Sequence, residues 1–264
     1  MKRILLGLVV YLTLTACTDH REEALDYFKS GEYEEAIYHF EKALVLDAND
    51  WKLKFNLARG LEEIGEYDRA IATYSECFEL SFNKKDLFLG RGRSYMKKED
   101  FESAIIDFTN VLKIDKKHFE AYYLRGQCHI KQVNYYEAYG DLNAAIKLRS
   151  EHLNAYYHRA IARAQMGDEW GALADLNRVI YERPQFSKAY FNRGIVYQRM
   201  NKFVKAKTDF DKTLDLKYAK ADVFIRRGIC HYYMGLKEKA CEDFDEIEKY
   251  DVEKAAYMKR KYCV

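Results

Sequence analysis

Five arginines and five aspartates recur in fixed register along this chain. Arg91, Arg125, Arg159, Arg193 and Arg227 lie 34 residues apart, and so do Asp107, Asp141, Asp175, Asp209 and Asp243. A guanidinium fork can hold a carboxylate with two parallel hydrogen bonds, so each arginine suits the aspartate sixteen residues after it. Acid–base catalysis is the other chemistry these groups offer, but five equivalent copies do not make one site. The two columns begin together, which implies contact between them. They read as a structural ladder, partly buried between helices, that fixes geometry more than it adds net stability.

The remaining reactive residues offer less. The chain has seven histidines, and they show no ligand spacing. His129 and His231 share a column with Tyr27, Tyr95 and Tyr197, and read as packing residues. There is no glycine-rich phosphate loop, no zinc motif, and no nucleophile with a partner histidine. No metal, cofactor or small-molecule substrate is expected. Apart from Cys17, the cysteines are Cys77, Cys128, Cys230, Cys241 and Cys263. An odd number is not a disulfide framework, and these read as small buried residues. Cys230 and Cys241 lie on the two helices of one expected hairpin and could pair.

The elements that position these residues follow from one series. Ala36, Ala70, Ala104, Ala138, Ala172, Ala206 and Ala240 are spaced by 34 without insertion. Twelve residues before each stands a small residue, from Ala24 to Gly228, and four after each a large apolar one, from Phe40 to Phe244. Five before stands a turn-former in most copies: Gly31, Gly65, Gly167, Asn201 and Gly235. Apolar spacing of three and four gives two amphipathic helices per unit, and a left-handed residue ends the first. One hairpin cannot bury its apolar face alone, so neighbours stack.

Segments such as Gly31-Glu32-Tyr33-Glu34-Glu35-Ala36 and Gly65-Glu66-Tyr67-Asp68-Arg69-Ala70 resemble the tetratricopeptide repeat. So do the openings Tyr123 to Gly126 and Phe191 to Gly194. The resemblance implies an all-α, right-handed superhelical solenoid of seven 34-residue helix-turn-helix repeats: 17–50, 51–84, 85–118, 119–152, 153–186, 187–220 and 221–254. The family's proline near the repeat end occurs once, as Pro184. Val252 to Tyr262, within 252–264, reads as a terminal helix capping the last apolar face.

The N-terminus is different in kind. Lys2 and Arg3 precede the apolar run Ile4 to Leu14, too short for a membrane-spanning helix of about 20 residues. It fits the core of an export signal over 1–16. Leu14-Thr15-Ala16-Cys17 resembles the bacterial lipoprotein signal, which implies a lipid on the Cys17 sulfur and Cys17 as the mature N-terminus. Thr18, where an aspartate would favour the inner membrane, favours the outer one. The expected location is a bacterial cell envelope, with the repeats held close to the membrane by Cys17.

With 264 residues and a net charge of +2, no strong nucleic-acid field is expected. The repeats leave about ten residues for anything else, so no enzyme is expected. In this family the first helices line a concave face that binds extended peptides or a partner helix. The register places Phe55, Leu89, Tyr123, Tyr157 and Phe191 on that face. Beside them it places Arg59, Arg93 and Gln127, then Lys97, Lys131 and Arg199. The result would be an aromatic floor with a basic edge, suited weakly to acidic or C-terminal carboxylate ligands. The function expected is a non-catalytic, membrane-anchored scaffold that binds envelope proteins in this groove. The alternatives are a self-associating structural component or an accessory subunit of an envelope enzyme.

Overall fold

The computed structural model describes residues 20–80 and 84–263. Cys17 and the export signal expected over 1–16 lie outside these residues. The chain divides into two compact units, Met1–Gln132 and Val133–Val264. In the first, residues 20–30 form α1, followed by α2 (Tyr33–Leu46), α3 (Trp51–Glu63), α4 (Tyr67–Leu80), α5 (Lys84–Lys97), α6 (Phe101–Ile114) and α7 (Phe119–Lys131). The second holds α8 (Tyr135–Leu148), α9 (Leu153–Gln165), α10 (Glu169–Glu182), α11 (Ser187–Arg199), α12 (Phe203–Asp215), α13 (Ala221–Tyr233) and α14 (Lys237–Glu246). A single 3-10 turn (Ile247–Lys249) and α15 (Val252–Tyr262) complete it. The two helices of the fourth repeat, α7 and α8, fall in different units.

Hairpin closure follows from the small columns. All seven series alanines are fully buried, and the large residues four positions on are buried with them. Each such aromatic or leucine contributes about 1.5–3 kcal/mol of burial. The helices approach so closely that a Cβ at Gly228 would lie 2.5 Å from a Phe244 ring carbon. Alanine there would overpack the hairpin at a cost of about 1–3 kcal/mol.

The turns hold one left-handed residue in every copy, whatever its type. Gly31, Gly65, Gly167 and Gly235 have φ between 78° and 85°, and Asn201 has φ 56°. Glu99 and Val133, where no turn-former stands, still adopt φ 63° and 66°. The fold therefore imposes this conformation on a β-branched valine at a cost of about 1–2 kcal/mol. Val133 is 65% exposed, so its side chain returns little packing. Val133→Gly is expected to raise the melting temperature by about 2–4 °C, as measured by circular dichroism.

First-helix starts are capped where the residue allows it. Asp50 accepts the Lys52 and Leu53 amides, and His118 and His152 accept those of Ala121 and Ala155 through Nδ1, each at 3.2 Å. Burial, then the charges of Arg149 and Arg183, hold His152 below the ordinary histidine value. That keeps its ring neutral and able to accept.

The arginine columns form bonds in two directions. Arg91, Arg159, Arg193 and Arg227 each grip the aspartate sixteen residues on, within one hairpin. Arg193 is representative, with Nε and Nη2 at 2.8 and 2.7 Å from the Asp209 carboxylate. Each arginine also donates Nη1 to a residue sixteen positions back, on the preceding hairpin: Ser75, Asn143, Asn177 and Asp211. Arg125 makes the same backward bond to Thr109. Its sequence partner Asp141 belongs to the other unit. One guanidinium thus joins three helices and sets how one hairpin sits on the next.

Two sequence expectations need correction. Cys241 is bonded to Cys263, not to Cys230, which is a free buried thiol. His231 is more than a packing residue, because its Nδ1 lies 3.0 Å from Asp243 and adds to the grip of Arg227. The disulfide ties α15 to α14. Ala255 and Met258 of α15 are buried in one cluster with Phe244 and Ile247. Asp251 caps α15 by accepting the Lys254 amide.

Candidate peptide-binding face

First helices contact each other directly within each unit: α3, α5 and α7 in one, and α9, α11 and α13 in the other. Side chains on this row sit where an extended ligand would cross successive helices.

In the first unit the row is largely satisfied internally. Phe55 is half-buried against the Tyr74 ring at 5.9 Å, and the exposed Arg59 lies over Phe28 at 4.8 Å. Leu89 is 9% exposed and packs with Phe108 and Val111, so it belongs to the core rather than to a groove floor. Arg93 meets Glu62 at 2.8 Å and Glu120 at 3.3 Å, which links α3, α5 and α7. Burial works against its charge, but the Glu62 bond and the two carboxylates hold the guanidinium above the ordinary arginine value. Tyr123 is half-buried and stacked on Phe119 at 5.9 Å. Gln127 is half-buried, while Lys97 and Lys131 are exposed at the helix ends.

The second unit is different. A narrow hollow between α9, α11 and α13 is lined by Ile161, Ala164, Ile195 and Val196, with Asn192, Gln165, Arg199 and Arg226 around it. Tyr157 meets the lining residue Asn192, its hydroxyl accepting from the Asn192 amide at 2.9 Å, and burial pushes that hydroxyl up to about 12. Phe191 is half-buried between Phe210 and Tyr218, each at 6.0 Å. Arg199 is exposed and bonds the Ala164 carbonyl and the Gln165 side chain. Arg226 bonds Gln198 at 3.2 Å. Burial first, and then the nearby Arg199, hold the Arg226 guanidinium below the ordinary arginine value despite Asp222. Neither arginine has an ion-pair partner among the described residues. The sequence reading named Arg199 but missed Arg226. The signal available was Arg226 standing directly before the ladder position Arg227, one column outside those read as inward.

Known families and solved structures share the repeat fold. Tetratricopeptide-repeat models match residues 18–50 and 52–84, and the model of anaphase-promoting complex (cyclosome) subunit 3 matches 97–178. A tetratricopeptide-repeat protein from Parabacteroides merdae is 22% identical, with a TM-score of 0.70 over 95% of this chain and 100% of that one. The C-terminal part of a repeat protein from Cytophaga hutchinsonii is 21% identical, with a TM-score of 0.71 over 90% and 98%. YrrB, described as a TPR protein with an unusual peptide-binding site, is 24% identical, with a TM-score of 0.61 over 70% and 95%. No curated protein matches the chain. These matches support the tetratricopeptide-repeat family, and the fold is its all-α solenoid. The fold points to protein–protein interaction, and proteins of this family are generally non-catalytic scaffolds.

Proposed function

We propose that the chain is a lipid-anchored adaptor of a bacterial cell envelope that holds a segment of a partner protein across α9, α11 and α13. An apolar side chain of that segment enters the hollow between Ile161 and Ile195. An acidic side chain or terminal carboxylate meets Arg199 and Arg226. One observation carries this reading: the two arginines border an apolar hollow and neither forms an ion pair with a carboxylate among the described residues, whereas Arg93 in the other unit is already neutralised by Glu62 and Glu120. Arg226 is half-buried and its charge is disfavoured by burial, so a ligand that supplies further counter-charge there is favoured.

Location rests on the N-terminal sequence and on the disulfide. Disulfides persist in oxidising compartments, and Cys241–Cys263 suits a chain exported from the cytoplasm. Among the described residues no helix is long and apolar enough to cross a membrane. A lipid on Cys17 would supply the attachment. Cys17→Ala should move the protein from the membrane to the soluble fraction and abolish labelling by a fatty-acid analogue. Unchanged fractionation without label would refute the anchor.

Arg199→Glu/Arg226→Glu should lower capture of envelope partners by about 10–100-fold, the loss of charge-assisted bonding worth about 1.5–3 kcal/mol in total. Capture is measured by pull-down from detergent-solubilised envelopes, with helicity checked by circular dichroism. The same partners at the same yield would sink the proposed site.

A further inference from the structure

In the first repeat the two ladder positions are occupied by exchanged chemistry. Glu23 stands thirteen residues before Ala36, where later repeats place arginine, and His39 stands three after it, where they place aspartate. The carboxylate is now on the first helix and the nitrogen base on the second. His20, one turn before Glu23 on α1, completes a group of three.

Their ligand atoms converge. His39 Nδ1 lies 2.8 Å from Glu23 Oε2 and 2.9 Å from His20 Nδ1, and His20 Nδ1 lies 3.4 Å from the same carboxylate oxygen. Two imidazole nitrogens and a carboxylate oxygen therefore face one point. We infer that His20, Glu23 and His39 form a binding site for a divalent transition ion of the zinc type.

The donor set and the spacing both favour it. Two histidines and a glutamate are a known zinc combination, with bonds of about 2.0–2.2 Å, so tetrahedral ligand atoms stand about 3.3 Å apart. Two of the three separations here are 2.8 and 2.9 Å, and the third is 3.4 Å. An ion needs the group to open by only a few tenths of an ångström. Imidazole nitrogen selects ions such as zinc over magnesium or calcium, which favour oxygen. Three protein ligands leave one tetrahedral place for water.

The surroundings fit the same reading. Tyr27 stacks on the His39 ring at 5.3 Å, and Tyr38 meets it edge-on at 5.2 Å, which fixes its plane. The His39 side chain is 16% exposed and that of Glu23 51%, so an ion can enter from water. Glu22, Asp26 and Glu32 line the adjoining open pocket with Glu23, and their charge attracts cations. The ion would join α1 to α2. This inference does not depend on the proposed partner binding.

The test is isothermal titration of zinc into tag-free, chelator-treated protein, with cobalt absorption as a second readout. One ion per chain at about micromolar affinity or tighter is expected, with the visible bands of tetrahedral cobalt. His20→Ala and His39→Ala should each weaken binding at least about 100-fold, and Glu23→Gln about 10-fold. His20 lies at a partly exposed position, so its variant keeps the test readable if His39→Ala disturbs the hairpin. A hydrogen-bonded triad without an ion would show no stoichiometric uptake. That result, or uptake that survives the His20→Ala/His39→Ala double variant, overturns the site.

Discussion

Arg193→Ala is expected to lower the melting temperature by about 6–12 °C, which corresponds to about 3 kcal/mol in a chain of this size. Asp209 is 4% exposed, and the arginine fork supplies two of its hydrogen bonds. Burial pushes the Asp209 carboxyl up, and the Arg193 bonds and charge pull against it. Without Arg193 the carboxylate is left buried and uncompensated, and Asn177 on the preceding hairpin loses its donor. Asp209→Asn in the same chain should recover part of the loss by removing the stranded charge. Arg159→Ala gives an internal control. Its aspartate, Asp175, also accepts from Arg163 Nη1 at 3.0 Å, so that carboxylate keeps one cation. Arg159→Ala should therefore cost less than Arg193→Ala. Equal losses would mean that the carboxylate, once stranded, is not what destabilises the hairpin.

Reduction of Cys241–Cys263 should have an effect of similar size confined to one end. The bond closes a loop of sequence separation 22, for which chain entropy gives about 3 kcal/mol. Its release frees α15 to leave Phe244 and Ile247, which it covers with Ala255 and Met258. Hydrogen exchange should accelerate in α14 and α15 on adding a reductant and stay unchanged in α9 to α12. Cys241→Ser/Cys263→Ser should show fast exchange from the start and no response to reductant. The uncovered apolar end would then favour self-association, read by light scattering. An unchanged exchange pattern in α15 would show that packing alone holds the cap.

Much of the architecture was legible because burial fixes residue type. Ala104 and Phe108 sit in a space that admits little else, so their columns stand out. The turn column was legible at Gly31 but not at Glu99 or Val133, because stacking imposes the left-handed conformation against residue preference. The forward half of the ladder could be read from Arg193 and Asp209. The backward half could not, since Ser75, Thr109, Asn143 and Asn177 share only an oxygen acceptor. Cys263 lies outside the repeat frame, so its pairing with Cys241 had no column to announce it. The candidate face was less legible. Register places Leu89 and Arg93 inward but cannot tell that Leu89 is core or that Glu62 neutralises Arg93. The His20–Glu23–His39 group shows no ligand spacing in the sequence because its members meet across a hairpin turn.

The central claim is that a partner lies across α9, α11 and α13. Photo-crosslinking amino acids placed singly at Ile161, Ile195 and Tyr181 in living cells test it most directly. Ile161 and Ile195 line the hollow, and Tyr181 is 84% exposed on the second helix of its hairpin. The expected result is a discrete crosslinked partner from positions 161 and 195, lost on adding Arg199→Glu/Arg226→Glu, and none from position 181. Crosslinks from position 181 with none from 161 and 195 would contradict it.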